Sequence, residues 1–204
     1  MGAKQFFLRE MVVDAARDTA AEFGFEQVTV RKVAERLEAS TAPIFKQFPT
    51  MAELQLAVAA SVLEELKTWT ARAWPHPFVL GESGGEFLNL GIGIAMYACE
   101  RPRLFRILLA PDSSNGGMAS AMRAFCLETM QKDRLSRQLP PPVRKVVYDR
   151  MATFVFGLAA RIVMDDEQKP FEAAVAKDLY DVGTALIHYE LAKLGGRAQL
   201  RGGN

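Results

Sequence analysis

The sequence predicts an all-α chain with a three-helix N-terminal head, a long connecting helix and a C-terminal helical bundle, about nine helices in all. Three observations carry this. Apolar residues recur at three- and four-residue spacing along nearly the whole chain, with no alternating strand pattern and no internal repeat. Gly and Pro punctuate that pattern where helices should end or begin. The stretch TVRKVAERLEASTAPIFKQF, Thr29 to Phe48, reads as two short helices around a tight turn, the unit that places one helix in the DNA major groove.

Taken in order, the first helix runs from about Lys4 to Phe23, with Phe7, Met11, Ala15 and Phe23 at helical spacing beside Val12, Ala16 and Ala20. Gly24 ends it, since only Gly adopts positive φ without strain. Thr29 is placed to cap the second helix, whose Val30, Val33, Ala34 and Leu37 face inward. Ser40 is placed to cap a very short third helix, with Pro43 in its first turn, where a missing N–H costs little. Ile44 and Phe48, four apart, anchor that helix. After Pro49, Thr50 and Glu53 have capping-box spacing, and a long fourth helix is expected to about Ala73.

Trp74–Pro77 and Gly81–Gly85 interrupt the periodicity as a loop. Helices are then expected at 86–100, 103–109, 118–138, 143–165 and 171–194, separated by Pro102, the 111–117 loop, the Pro140-Pro141-Pro142 run and the 165–170 segment. The domain reading is a head over 1–54, a body over 55–195 and a disordered tail over 196–204.

Composition narrows the function. The 204 residues carry a formal net charge of +1, with 50% hydrophobic and 24% charged residues, which suits a globular protein rather than a polycation. The first 54 residues hold eight acids against seven bases, so any phosphate contact must come from focused cations such as Arg31, Lys32 and Lys46. No apolar stretch approaches the ~20 residues of a membrane span, and the N-terminus lacks a signal core, which leads to the expectation of a cytoplasmic protein. Cys99 and Cys126 lie in predicted helices without Cys-x-x-Cys spacing and read as small buried hydrophobes. No phosphate-binding Gly loop with Lys, no His-Glu-x-x-His and no strand-borne Gly-x-Ser-x-Gly is present, and there are two histidines, His76 and His188. Neither an enzyme, a metal site nor a cofactor is expected.

The last two helices are apolar on more than one face, which asks for burial beyond their own domain. Val147, Met151, Phe154 and Leu158 on one, with Leu179, Val182, Leu186 and Tyr189 on the other, are the candidate dimer face, two copies forming an intermolecular four-helix bundle. A thick intramolecular core is the alternative.

The set Ala15-Ala16, Gly24-Phe25, Thr29-Val30, Val33-Ala34, Ser40, Pro43-Ile44-Phe45, Phe48-Pro49 and Glu53-Leu54 resembles the TetR-type (TetR/AcrR) transcriptional regulators over about residues 8–56. Ala98–Phe105 and Phe156–Ala159 resemble the family more loosely. The resemblance implies a DNA-binding head and a dimerising body with a small-molecule pocket. Carried over by position, it implies that Ser40, Thr41, Ala42 and Pro43 face base edges and backbone, that Thr29 and Arg31 touch backbone, and that Lys46 meets phosphate. Phe45 stands where the family usually has a phosphate-binding Tyr, Met51 where many members have Lys, and Glu38 where the turn usually has Gly.

For the pocket, Phe87, Leu90, Gly91, Ile94, Tyr97, Phe105, Met122, Phe125 and Phe154 are the candidate lining, largely apolar with few polar anchors. The function expected is a homodimeric repressor released from a palindromic operator in double-stranded DNA by a small, largely apolar effector, with no membrane partner. The alternative is a helical sensor or interaction module whose helix-turn-helix no longer binds DNA specifically.

Overall fold

The computed structural model describes residues 8–72, 74, 85–109, 117–164 and 172–201. Among the described residues there are nine α-helices, two 3-10 turns and no strand, in agreement with the all-α expectation. The helices are α1 (Arg9–Phe23), α2 (Val30–Arg36), α3 (Ala42–Gln47), α4 (Met51–Thr70), α5 (Gly85–Glu100), α6 (Pro102–Leu108), α7 (Met118–Lys132), α8 (Pro141–Met164) and α9 (Glu172–Arg201). The 3-10 turns span Phe25–Gln27 and Ser136–Gln138. The chain divides into two compact units, Met1–Lys67 with Arg101–Ala121, and Thr68–Glu100 with Met122–Asn204. The first unit thus extends past residue 54 and takes in α6, which the linear reading had placed in the body.

In the first unit, α1 buries Val12, Ala15, Ala16, Thr19 and Ala20. Met11 and Phe23, expected on that stripe, are exposed, because the buried face is set by the small residues that allow close approach of a neighbouring helix. Phe7 lies outside the described residues. Gly24 takes φ +98° and its N–H returns to the Ala20 carbonyl at 2.9 Å, closing α1. The Thr29 hydroxyl accepts from the Lys32 N–H at 3.3 Å, capping α2 as expected. At the far end of α2, the Ala39 N–H bonds the Ala34 carbonyl at 2.9 Å and the Glu38 N–H bonds the Glu35 carbonyl at 3.1 Å. These two bonds make a Schellman end with Glu38, at φ 51°, in the position that usually takes Gly. The chain then turns so that Thr41 rather than Ser40 occupies the N-cap of α3, and neither hydroxyl supplies a capping bond there. Ile44 and Phe48 are fully buried, as their spacing predicted.

Arginines stitch this unit from outside. Arg9 donates to the Gln47 carbonyl at 2.5 Å and lies 3.8 Å over the Phe48 ring, joining α1 to the end of α3. Arg17 donates to the Ser61 hydroxyl at 2.9 Å and approaches Glu65 at 3.6 Å, joining α1 to α4. Arg103 of α6 donates to the Glu22 and Ala21 carbonyls at 2.7 and 3.3 Å, satisfying two of the open carbonyls at the end of α1. The Glu53 N–H bonds the Thr50 hydroxyl at 3.2 Å, so α4 starts where the capping-box spacing placed it.

The second unit is organised by α5, which is buried on all sides from Leu90 to Cys99 except at Met96. α8 and α9 pack on it. At Gly93 the chain comes so close that an added Cβ would lie 2.8 Å from the Thr70 Cα and 3.0 Å from the Trp74 indole nitrogen. Asn89, one turn earlier, donates to the Thr70 and Arg72 carbonyls and accepts from the Trp74 N–H, tying down the chain that leaves α4. Trp69 packs edge-on against Tyr97, ring centroids 5.6 Å apart.

Three helix bounds differ from expectation. α7 stops at Lys132 because the Asp133 carboxylate accepts from the Ser136 N–H at 2.9 Å and turns the chain into a 3-10 segment. α8 begins at Pro141, inside the proline run, since Pro is suited to a first helical position. α9 continues to Arg201, past the expected end near Leu194 and into the segment expected as disordered; Arg-Ala-Gln-Leu after the glycines are good helix formers. The loops expected over 75–84, 111–116 and 165–170 lie outside the described residues.

Two stability predictions follow from this packing. Gly93→Ala forces a methyl against backbone and should lower unfolding free energy by about 1–3 kcal/mol in urea denaturation. Glu38→Gly relieves the positive φ and should raise it by about 0.5–1 kcal/mol by the same measurement.

Candidate nucleic-acid interface and ligand cavity

α3 has six residues, and its two faces are sharply divided. Ile44 and the flanking Phe48 point into the unit, whereas Ser40, Thr41, Ala42, Phe45 and Lys46 are exposed and Pro43 is half-buried. Thr29 and Arg31, at the start of α2, are also exposed, so all eight residues expected to face DNA are accessible to some degree. Phe45 is 50% exposed, an apolar ring displayed on the helix where a hydroxyl-bearing ring is expected. Arg31 is extended into solvent, its side chain 86% accessible, and pairs with Glu35 at 3.0 Å. A surface pair of this kind is worth at most about 1 kcal/mol, so a phosphate can displace the carboxylate.

Four other cations described in the head, Arg9, Arg17, Lys32 and Arg36, are turned to internal work. Arg36 pairs with Glu22, and Lys32 donates to the Gln27 side chain at 3.1 Å with its ammonium 4.9 Å from the Phe23 ring centre. Arg9 and Arg17 hold α1 against its neighbours, as described above. At the front of α2 and α3, Arg31 and Lys46 are exposed. Met51 is half-buried and brings no charge.

Within the second unit, α5, α7, α8 and α9 line a partly open cavity of ≈ 60 Å³. α5 contributes Phe87, Leu88, Leu90, Gly91 and Ile94; α7 contributes Cys126; the following turn contributes Asp133 and Leu135. Tyr148, Met151, Ala152, Val155 and Phe156 come from α8, and Leu179, Tyr180, Gly183, Thr184 and Ile187 from α9. Of the residues expected in the lining, Phe87, Leu90, Gly91 and Ile94 are there. Tyr97 shares their face of α5 but sits further along, against Trp69. Phe105 is buried in the first unit. Phe125 is off the cavity, about 100° around α7 from Cys126, Met122 shares the Cys126 face one turn earlier without reaching the wall, and Phe154 is two residues out of phase with Ala152 and Phe156, about 200° around the helix.

α9 was missed altogether as a wall. Its signal is the Gly183-Thr184 pair, small residues in an otherwise bulky stripe, with Gly183 facing Met151 so that an added Cβ would meet its methyl at 3.5 Å. The cavity is also chemically quiet toward nucleophilic work. Burial pushes the Cys126 thiol up to about 12. Burial likewise raises the Tyr148 hydroxyl to about 12, with Cys126 and Asp149 adding to the effect and Arg123 opposing it. Among the described residues no group of His, Cys, Asp or Glu is arranged to hold a metal ion, and no helix is long and apolar enough to cross a membrane.

The eight residues expected at a dimer face separate into two sets. Val147, Met151, Leu158 and Leu179 are buried within the single chain, several against α5 or in the cavity wall. Phe154, Val182 and Leu186 are half-buried, and Tyr189 is 58% exposed.

Comparison with known proteins agrees with this geometry. Residues 12–58 match the family model described as bacterial regulatory proteins, tetR family, a span that covers α1 to the first half of α4. No curated protein matches the chain. Among solved structures, the chain is similar to a tetR-family transcriptional regulator from Streptomyces coelicolor, at 15% identity and TM-score 0.70, covering 95% of this chain and 85% of that one. It is similar to a second TetR regulator from Streptomyces coelicolor, at 20% identity and TM-score 0.63, covering 92% and 97%. A TetR variant from Acinetobacter baumannii AYE, solved in complex with minocycline, is similar at 18% identity and TM-score 0.59, covering 90% and 98%. The matched family is one of regulators rather than enzymes. Residues 12–58 thus match the tetR family of bacterial regulatory proteins, and the chain as a whole has the fold of the TetR-type regulators it is similar to.

Proposed function

We propose that the chain is a homodimeric transcriptional repressor that binds a palindromic operator through α2 and α3 and is released by a small, largely apolar effector held in the cavity of the second unit. The observation that carries the reading is the division of α3: its anchors are buried while the eight expected contact residues stand at the surface of a head that matches the tetR family. Base readout by this helix is mainly apolar, through Phe45 and Ala42 against thymine methyls, with Ser40 and Thr41 supplying hydroxyls. Phosphate contact rests on Arg31 and Lys46, and the small number of cations makes DNA shape a larger part of specificity.

Half-exposed apolar side chains on α8 and α9 support the dimer, since Val146, Phe154, Val182, Leu186 and Tyr189 leave apolar surface that a second copy would cover. The minocycline complex of the similar Acinetobacter regulator supports a small-molecule role for the cavity. Effector binding would shift the population toward a state with low DNA affinity, by its differential affinity for the two states.

A second reading has one specific observation in its favour. Arg9, Arg17, Lys32 and Arg36 are all engaged within the head, and Phe45 lacks the phosphate-binding hydroxyl, which suits a sensor or interaction module that no longer binds DNA specifically. Selection of fragments from genomic DNA, followed by a salt titration of the best fragment, separates the two. A DNA-binding dimer loses affinity steeply with salt, and Lys46→Ala lowers the slope by about 1. A flat response, or selection of no sequence, favours the module. For the assembly, Leu186→Asp with Tyr189→Asp should convert a dimer to a folded monomer in sedimentation velocity, and an unchanged mass would overturn the α8–α9 interface.

A further inference from the structure

Among the described residues that line the cavity, one carries a formal charge, and it is negative. These residues include no Lys, Arg or His, and their one carboxyl is Asp133, 1% exposed. Its partners are neutral donors. Oδ2 accepts from the Ser136 N–H at 2.9 Å and lies 2.7 Å from the Ser136 hydroxyl. That hydroxyl also lies 2.8 Å from the Met130 carbonyl, and its one proton can serve only one of the two oxygens. Oδ1 accepts a single long bond, 3.3 Å from the Phe87 N–H. Arg144, the guanidinium nearest this turn in the bonding pattern, is directed to the carbonyls of Ser136, Arg137 and Leu139 and not to the carboxylate.

Asp133 therefore has a structural role, capping the 3-10 turn through Oδ2 and the first turn of α5 through Oδ1, and that role gives it no ion-pairing cation among the described residues. A carboxylate can accept about four hydrogen bonds, and Oδ1 retains an open lone pair beside the cavity. Burying an anion without a counter-ion is costly, so a cation arriving in the cavity gains more there than it would in water. The rest of the wall favours the same charge. Phe87, Tyr148, Phe156 and Tyr180 line the same wall, and the face of an aromatic ring attracts a cation, as the Arg123 guanidinium 5.5 Å from the Tyr148 ring centre already does. An anionic ligand meets the Asp133 carboxylate and no cationic side chain among the described lining residues.

On the reading of this cavity as the effector site, we infer that the effector is an organic cation: a compact apolar body, aromatic or aliphatic, carrying one protonated amine that bonds Asp133 Oδ1.

A charge series of one shape tests this on the full chain. Benzylammonium, benzyl alcohol and benzoate are titrated by calorimetry at neutral pH against the native protein, Asp133→Asn and Ala152→Trp, the last of which fills the cavity. Benzylammonium should bind the native chain roughly tenfold or more tighter than benzyl alcohol, with benzoate weakest. Asp133→Asn keeps an acceptor for the turn and should bring the ammonium and the alcohol to within roughly threefold of each other. Ala152→Trp should abolish binding of both. Equal affinity of the native chain for the ammonium and the alcohol overturns the cation and leaves the cavity as an apolar effector site. Tighter binding of benzoate, or ammonium binding that survives Ala152→Trp, also overturns it. If none of the three binds, the effector-site reading fails and the inference with it. Should Asp133→Asn not fold, the charge series on the native chain decides alone.

Discussion

A six-residue helix has no stability of its own in water, and the head depends on how α3 is held. Ile44 and Phe48 do most of it, each contributing about 1.5–3 kcal/mol on burial. Their insertion beside the small-residue stripe of α1 fixes the axis of α3 and its rotation, and rotation is what turns Phe45, Lys46 and Ala42 outward. Everything else in the first unit supports that placement. The Schellman end at Glu38 sets the exit direction of α2, Gly24 frees the chain to begin its turn toward Thr29, and Arg9 closes the open end of α3 over the Phe48 ring.

The second unit solves a different problem. α5 is too apolar to tolerate solvent on any face, and its glycines let neighbouring backbone approach where a side chain would hold it off. That closeness on the Gly93 side contrasts with the looser packing around Gly91, where Leu179 and Val155 stand at ordinary contact distance and the cavity opens. One helix thus carries a close backbone approach at Gly93 and a cavity wall at Gly91, two residues apart.

Much of this was legible in the sequence because helix ends announce themselves locally. Gly24, Thr29, Pro43, Thr50 and Pro102 act on their own backbone and need no tertiary information. Ile44 and Phe48 were legible for the same reason, being one turn apart on a helix too short to have another buried face. Ser40 was not, because the choice between it and Thr41 as cap depends on the turn geometry that Glu38 imposes. The cavity was half legible. On α5 the glycines marked it, but on α7, α8 and α9 which residue enters depends on helix phase, which Phe125 and Phe154 missed by a residue or two. Asp133 was invisible as a site residue, since an acid inside a helix expected over 118–138, flanked by Lys132 and Arg134, looks like any solvated helical position until its burial is known. The dimer face was overdrawn for a related reason: apolarity on two faces of α8 and α9 shows that both need cover, not which one α5 already covers.

The masking of the two thiols has a practical use. Cys126 is held in its protonated form far above neutral pH and Cys99 is buried, so maleimide and nitroxide reagents meet no reactive native sulfur at neutral pH. A single cysteine introduced on the solvent side of α9 would then carry the only spin label of its chain. In a two-fold assembly that one label becomes a pair, and the distance between them reports the oligomer directly, without a cysteine-free background having to be built first.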